Sequence, residues 1–269
     1  MKKLSYLLAL SGLVSVSAIA ADSPHSLSTN VSMTSNYVFR GISQSSGDPA
    51  IQGGFDYSHS SGVYLGTWGS NVSWIKDFQG YQNGSMEIDL YGGYRGTVGD
   101  VSYDVGVVTY MYPGEKAAAV NADTTEVYAS AGWKWFTAKY SHVTSSGTFG
   151  FANARGSNYF DLSASLPIGE TGLTAGAHWG TFKFENNGAQ DYDDWKLSLV
   201  YDLSKASGTL SGMTVGIALT DTNANKAVWS NPVGLGGADL GHHGNGNHQG
   251  AKEYVSVVPV GAAFRSLVT

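Results

Sequence analysis

Apolar and polar residues alternate with a period of two along most of this chain, and that pattern restricts the fold more than any other feature. In FDLSASL, Phe160, Leu162 and Leu166 share one parity, while Asp161 and Ser163 share the other. Because successive side chains of a strand point to opposite faces, the pattern predicts strands with one apolar and one polar face. Beyond the first twenty residues, no window has apolar residues at helical spacing. The chain is therefore predicted to be all-β.

The alternation recurs in about twelve segments, and most of them have the length that a tilted strand needs to cross a bilayer. The predicted strands lie near residues 26–38, 51–58, 62–73, 85–96, 100–112, 124–134, 136–145, 157–166, 171–183, 192–202, 211–220 and 253–265.

The connections between these segments alternate in length. They are tight near residues 59–61, 97–100, 135 and 167–171, and longer at the intervening positions. A soluble sandwich also has strands with two kinds of face, but it has no reason to make every second connection long. Outer-membrane barrels do, with short periplasmic turns and long external loops. The sequence thus predicts a transmembrane antiparallel β-barrel of about twelve strands with a periplasmic amino terminus.

The amino-terminal residues have the features of a secretory signal peptide. Lys2 and Lys3 precede an apolar stretch over residues 4–16, and Ala18-Ile19-Ala20 is a small-residue cleavage site. We therefore expect residues 1–20 to be a signal peptide and residues 21–269 to form one outer-membrane barrel domain. Without Lys2 and Lys3, 13 basic residues (15 minus 2) face 21 acidic ones, so the formal charge moves from -6 to -8. A net negative charge of this size does not attract nucleic acid, so no nucleic-acid partner is expected.

Charged residues within the predicted strands fall on the parity opposite to the apolar residues. An ionic side chain costs roughly 2 to 4 kcal/mol on the lipid face at mid-bilayer, so these residues are expected to point into the lumen. Opposed acidic and basic rows would create a transverse field for small polar solutes, whereas the alternative is that they only fill the barrel with salt bridges. The predicted pore-lining residues are Asp56, Glu87, Asp89, Arg95, Asp104, Lys134, Lys139, Asp161, His178, Lys196 and Asp202.

Aromatic residues concentrate near the ends of the predicted strands, which is typical of two girdles at the levels of the lipid headgroups. Ordinary strand propensity would also enrich tyrosine and tryptophan. The expected external girdle is Tyr37, Phe39, Trp74, Tyr110, Tyr112, Tyr159, Phe184 and Tyr192, and the internal one is Tyr57, Tyr103, Trp133, Trp135, Phe136 and Tyr201.

Neither a metal site nor an enzyme is predicted. His242, His243 and His248 cluster in GHHGNGNHQG, but a glycine- and asparagine-rich external loop is the simpler interpretation. No GxSxG elbow is present. Asp161 and His178 could be strand neighbours, as adjacent barrel strands bring such pairs together by chance. No cofactor is implied, and no catalytic residue is assigned.

Residues 35–74, SNYVFRGISQSSGDPAIQGGFDYSHSSGVYLGTWGSNVSW, resemble the opening block of the TorF-type porin family of exported proteins of unknown function. The order SNY-F-RG-SQS, PA-QGGFDY and GTWGSNV carries the resemblance, which continues through EIDLYGGYRG and Tyr103–Gly106 to about residue 220. It implies an outer-membrane barrel with a suspected role as a solute channel, and no catalytic residues.

The carboxyl end departs from that pattern. Barrels of this kind usually end on an aromatic residue that the barrel-assembly machinery recognises, but here the chain ends RSLVT, with Pro259 inside the last predicted strand. The expected function is passive diffusion of small hydrophilic solutes across the outer membrane, with lipid and the assembly machinery as partners. A structural or adhesive barrel and a barrel hydrolase remain the alternatives.

Overall fold

Antiparallel strands make up almost all of the regular structure. The computed structural model describes residues 23–116 and 120–229, together with the backbone of residues 252–254 and 256–257. Its strands are β1 His25–Thr34, β2 Val38–Phe39, β3 Ile42–Ser43, β4 Ala50–His59, β5 Val63–Asn71, β6 Met86–Val98, β7 Val101–Met111, β8 Thr124–Trp133, β9 Phe136–Val143, β10 Asn158–Pro167, β11 Leu173–Lys183, β12 Tyr192–Asp202, β13 Thr214–Thr222, β14 Lys252–Tyr254 and β15 Ser256–Val257. Its helices are short, namely α1 Trp74–Asp77, α2 Lys226–Trp229 and 3₁₀ turns at Gly188–Gln190, Leu203–Lys205 and Gly208–Leu210.

The sheet closes on itself. Each long strand from β4 to β13 pairs with the next long strand along the chain, and β1 pairs with β4. At the two edges, β13 pairs with β14 and β1 pairs with β15. Because one residue separates β14 from β15, a single short stretch joins both edges and leaves a barrel. The sheet has 13 strands, so counting β14 with β15 gives twelve positions. The predicted all-β barrel is confirmed.

The two ends of the barrel carry different connections. At the turn end, the connections around residues 60–62, 99–100, 134–135 and 168–172 are short, and residues 203–213 form a longer one with two 3₁₀ turns. At the loop end, residues 35–49, 72–85, 112–123, 144–157 and 184–191 form longer connections. The long connection predicted over residues 221–252 lies mostly outside the described residues, as do residues 1–20, His242, His243, His248 and Pro259.

The exterior of the barrel is apolar where a soluble protein would be polar. Phe55 is 68% exposed, Leu65 62% and Leu197 51%, and many large apolar side chains share their outward parity. Among the described residues, no helix is both long enough and apolar enough to span a membrane. The apolar exterior of the barrel is unstable in water, because exposed apolar patches of this size drive association. The same exterior is stable in the hydrocarbon of a bilayer. The barrel is thus of the transmembrane type.

Replacing Leu197 with arginine places a charge on the outward face near the middle of β12. We expect it to lower the free energy of unfolding by about 2–4 kcal/mol, because a cation there meets the bilayer midplane. Val98→Arg, on the last residue of β6 at the turn end, is the matched control and should cost only about 0–1 kcal/mol. Urea titration of both variants in lipid vesicles measures the difference. Equal losses would mean that the exterior does not lie in lipid.

Candidate functional site

The connection between β1 and β4, residues 35–49, folds into the lumen, and we call it the inner loop. Its centre is a small hairpin, β2 and β3, that sequence patterns did not predict. Arg40 and Gly41 form the tip, with φ angles of 46° and 77°. Both residues contact inward-facing side chains of distant strands, so the hairpin crosses the barrel interior.

Arg40 forms the most extensive contact of this tip. Its two terminal nitrogens donate to the two carboxylate oxygens of Glu126 on β8, each at 2.7 Å. The guanidinium also lies 4.3 Å from the ring centre of Tyr159 and 5.0 Å from that of Phe182. Side chains of both ion-pair partners are almost fully buried. A bidentate pair of this kind fixes orientation as well as charge.

The electrostatic surroundings of Arg40 keep it charged. Burial, the largest single contribution, would lower the pKa of Arg40. The Glu126 carboxylate, together with Tyr110 and Tyr159, outweighs burial, so the pKa lies above its ordinary value. Burial, with a contribution from Glu87, raises the pKa of Tyr37 at the base of the same loop. Tyr37 therefore remains a phenol, and it donates a hydrogen bond of 2.6 Å to Glu87 on β6.

Gly41 sits where only a residue without a side chain fits. A Cβ atom at this position would come within 2.5 Å of the Asp194 Cβ and 3.1 Å of the Thr222 Cβ. Asp194 lies on β12 and Thr222 at the end of β13, whereas Glu126 lies on β8. The tip thus touches walls on different sides of the lumen.

Short hydrogen bonds brace the base of the inner loop. The Asn36 Oδ1 accepts from the hydroxyls of Ser43, at 2.6 Å, and Ser45, at 3.1 Å. The Ser45 Oγ accepts from the Tyr37 amide, and the Gln44 amide donates to the Tyr37 carbonyl. The polar residues of SNYVFRGISQS therefore stabilise one loop conformation.

Aromatic side chains fill the space around the hairpin at the loop end. Phe149, with a φ of 46°, packs its ring 5.3 Å from that of Tyr110 and 5.8 Å from that of Phe39. We call the following set the aromatic cluster: Phe39, Tyr110, Phe149, Phe151, Phe182, Phe184, Tyr192 and Trp229. The expected external girdle is wrong, because Tyr37, Trp74, Tyr110, Tyr112, Tyr159, Phe184 and Tyr192 are buried inside the molecule. At the turn end, Trp133, Trp135 and Phe136 are about half exposed, as a girdle requires.

A second network lies on β10, β11 and β12. The His178 Nδ1 is 2.5 Å from an Asp161 oxygen, and its Nε2 is 2.9 Å from an Asp194 oxygen. The Tyr159 hydroxyl donates to the other Asp194 oxygen at 2.9 Å. Asp161 and His178 are indeed neighbours, as the sequence suggested. Because Asp194 also faces Gly41, this network supports the hairpin tip.

Buried tyrosines and half-buried charged side chains continue the lining towards the turn end. The Tyr64 hydroxyl donates to Asp104 at 2.6 Å and also contacts the Tyr128 hydroxyl, while the Lys139 ammonium lies 4.4 Å from the Tyr128 ring centre. Tyr91 likewise donates to Asp56 at 2.7 Å. Beyond these groups lies a band of half-buried hydroxyl residues: Ser26, Ser28, Ser58, Ser130, Thr137, Ser163, Ser165, Thr174 and Ser198.

Some predicted pore-lining residues take other places. Lys134 lies in the turn between β8 and β9, exposed and with its ammonium 4.4 Å from the Trp133 ring centre, so it does not line the lumen. Asp202 ends β12 and accepts from the Ser204 amide as the cap of a 3₁₀ turn. Glu87 and Asp89 face inward but are buried beneath the inner loop.

The remaining predicted residues have inward or half-buried positions, and whether they line an open passage stays a prediction. They are Asp56, Arg95, Asp104, Lys139, Asp161, His178 and Lys196.

Sequence reasoning missed Arg40 and Glu126. The parity of Glu126, which it shares with Tyr128 in the predicted strand 124–134, was sufficient to place it inward. Nothing in the local pattern marked Arg40, because a loop arginine is ordinarily solvated. Among the described residues, no group of His, Asp and Glu side chains is arranged to hold a metal ion.

A family model described as a bacterial protein of unknown function (Gcw_chp) matches residues 18–242. No curated protein is significantly similar to the chain. Among solved structures, OprD of Pseudomonas aeruginosa is 14% identical with a TM-score of 0.41, over 88% of this chain and 66% of that one. OccK2 (OpdF) of the same organism is 15% identical with a TM-score of 0.37, over 78% of this chain and 64% of that one. OccAB4 of Acinetobacter baumannii is 11% identical with a TM-score of 0.37, over 77% and 59%. The chain spans just under two thirds of the length of OprD.

Proposed function

Since this chain belongs to the bacterial family of unknown function called Gcw_chp, whose description names no activity, we propose that it is a porin-like channel of the outer membrane. Its cargo is small hydrophilic solutes that cross by passive diffusion. The TorF-type resemblance of residues 35–74 is part of the same proposal.

One observation carries this proposal: an apolar exterior surrounds an interior of charged and hydroxyl side chains. A barrel that served only as a membrane anchor has no need of Asp56, Asp104 and Lys139 in half-buried positions between its two ends. The hydroxyl band offers solutes hydrogen-bonding partners without a net charge. Side chains of both charges, closer to the loop end than these hydroxyl residues, would then set the selectivity of the channel.

The inner loop makes this a narrow channel. A ring of twelve strands lies between barrels of eight, which side chains fill, and those of 16 or more, which leave an aqueous channel. The hairpin crosses the lumen at Arg40, so solutes pass only when it moves or through the space beside it. We expect small conductance with brief openings.

The location follows from the same proposal. Residues 1–20 direct export and are removed, and residues 21–269 form the barrel domain in outer-membrane lipid, inserted by the barrel-assembly machinery. The turn end then faces the periplasm and the loop end faces outward, in keeping with short periplasmic turns and long external loops.

The arrangement around His178 gives little support to a hydrolase. Both ring nitrogens face carboxylates, at 2.5 and 2.9 Å, so neither is available to take a proton from a serine. The hydroxyl that contacts this ring is the phenol of Tyr159, 3.0 Å from Nε2.

A structural or adhesive barrel is the second candidate, and the aromatic cluster favours it. Phe149, Phe182 and neighbouring rings pack against the hairpin as a hydrophobic core does. A barrel filled in this way would hold its loops rigidly for contact with a partner.

Planar-bilayer recording of the refolded chain without residues 1–20 separates these candidates. A channel gives discrete conductance steps whose reversal potential shifts in a salt gradient. The control is the same detergent solution carrying heat-unfolded protein. Altered migration on unheated gels verifies that the barrel is folded. If the folded barrel inserts and yields no conductance steps, the result would favour the structural role.

A further inference from the structure

A small cavity lies at the loop end, among side chains from six separate segments. It measures about 30 Å³ and is partly open to solvent. No charged side chain of the described residues lines it. The lining residues are Phe39, Ile42, Gln44, Trp74, Phe78, Phe149, Phe182, Tyr192 and Trp229. The segments that supply them are the inner loop, the α1 region, the loop 144–157, β11, β12 and α2.

Two hydrogen-bond donors in this lining have no partner among the described residues. The indole Nε1 atoms of Trp74 and Trp229 are shielded from solvent, and neither donates to a group in that part of the chain. Trp74 is only 5% exposed. Leaving a buried N–H unpaired costs free energy, so such donors are expected to meet an acceptor that arrives from outside the chain.

The lining restricts what that acceptor belongs to. A carboxylate would lose its hydration here without a counter-charge, because Arg40, which lies against the Phe39 and Phe182 rings, already donates both terminal nitrogens to Glu126. An ammonium would lose its hydration too, since the lining holds no anionic side chain. Aromatic ring faces, by contrast, pack well against the C–H faces of a saturated ring. A space of 30 Å³ holds about two water-sized groups, at roughly 10–15 Å³ each.

We infer that this cavity is part of a binding site for a neutral sugar, in which a hydroxymethyl group enters the space lined by Trp74 and Trp229 while the pyranose ring lies against the partly exposed rings of Phe39 and Trp229. The inference rests on the proposed channel function, for which it names a substrate class. The site would hold the solute at the outer mouth, against the hairpin.

Fluorine NMR on protein labelled with 5-fluorotryptophan tests the site directly. The chain has seven tryptophans, and Trp74→Phe and Trp229→Phe assign the two relevant signals. We expect methyl β-glucopyranoside to shift both signals, and methyl β-xylopyranoside, which lacks the hydroxymethyl group, to bind more weakly. The corresponding uronic acid, with a carboxylate at that position, should not bind.

Trp74→Phe keeps a ring and removes one donor, so the glucoside Kd should rise about three- to tenfold, the effect of one net hydrogen bond. Trp179→Phe, on the exterior of β11, is the matched control and should leave the Kd unchanged. Absence of shifts, or an unchanged Kd in Trp74→Phe, means that the cavity holds water only. Equal binding of the uronic acid overturns the neutral class.

These measurements need no conduction, so the two proposals fail separately. Conductance steps without sugar binding would leave the channel standing and remove the site. Binding without conductance would leave the site and remove the channel.

Discussion

Replacing Arg40 with alanine is expected to raise the single-channel conductance several-fold. The substitution removes both hydrogen bonds to Glu126 and the stacking on Tyr159 and Phe182. Glu126 is then a buried carboxylate without a counter-charge, a situation that costs about 3–5 kcal/mol. Movement of the hairpin out of the lumen would remove this cost, because water could then reach Glu126. The movement breaks no hydrogen bonds between the strands of the barrel, since β2 and β3 form a separate sheet. The open state should therefore dominate.

Planar-bilayer recording measures the conductance, and urea titration in vesicles shows that the barrel still folds. Lys183→Ala is the matched control, since it removes a cation from the exposed ion pair with Asp191, which spans 3.3 Å. Exposed pairs contribute about 0–1 kcal/mol, so this variant should behave as wild type. Arg40→Lys keeps the charge and loses the fork, and should be intermediate. If the Arg40→Ala barrel is stable and conducts no more than wild type, the hairpin does not block the lumen.

Replacing Gly41 with valine should produce a comparable opening by a different cause. At a φ of 77° a residue with a side chain pays roughly 1–2 kcal/mol, and a β-branched one is a true outlier. The new Cβ would also come within 2.5 Å of the Asp194 Cβ, and Asp194 is held in place because its carboxylate contacts His178 Nε2 and accepts from the Tyr159 hydroxyl. Because both the backbone strain and the clash with Asp194 disfavour the docked hairpin, the tip cannot dock. The Arg40–Glu126 ion pair is then lost as well.

Recording is again the measurement, with Gly188→Val as control, because a Cβ at Gly188 has no neighbour within 4 Å. If both substitutions act by undocking one hairpin, the Arg40→Ala, Gly41→Val double variant should conduct no more than either single variant. Additive increases would indicate that the two residues block the lumen independently.

The strand pattern was predictable because the period of a strand is local. The alternation over residues 86–91 of β6 and residues 160–166 of β10 is visible in the sequence, and adjacent strands pair in chain order. Parity also placed Asp161 and His178 inward. Among the described residues, strand ends were accurate to a few residues, and of the strands only β2 and β3 were not predicted. The end of the last predicted strand, 253–265, lies outside those residues.

The aromatic girdle failed for a physical reason. Tyr110 and Tyr159 lie near strand ends, which suggested headgroup contact, but they share the inward parity of their strands. Position along a strand gives height in the barrel, whereas parity gives the face. Rings at the right height on the inner face became a core instead of a girdle.

The sequence by itself determined a closed antiparallel barrel with an apolar exterior and a polar interior, because alternation and connection length are properties of neighbouring residues. Only the tertiary structure decided what occupies the interior. Arg40 and Glu126 are 86 positions apart, and no local pattern states that a loop will turn inward and cross a lumen. That outcome depends on the summed contacts of Glu126, Asp194 and the aromatic cluster, which exist only after the strands have closed around them.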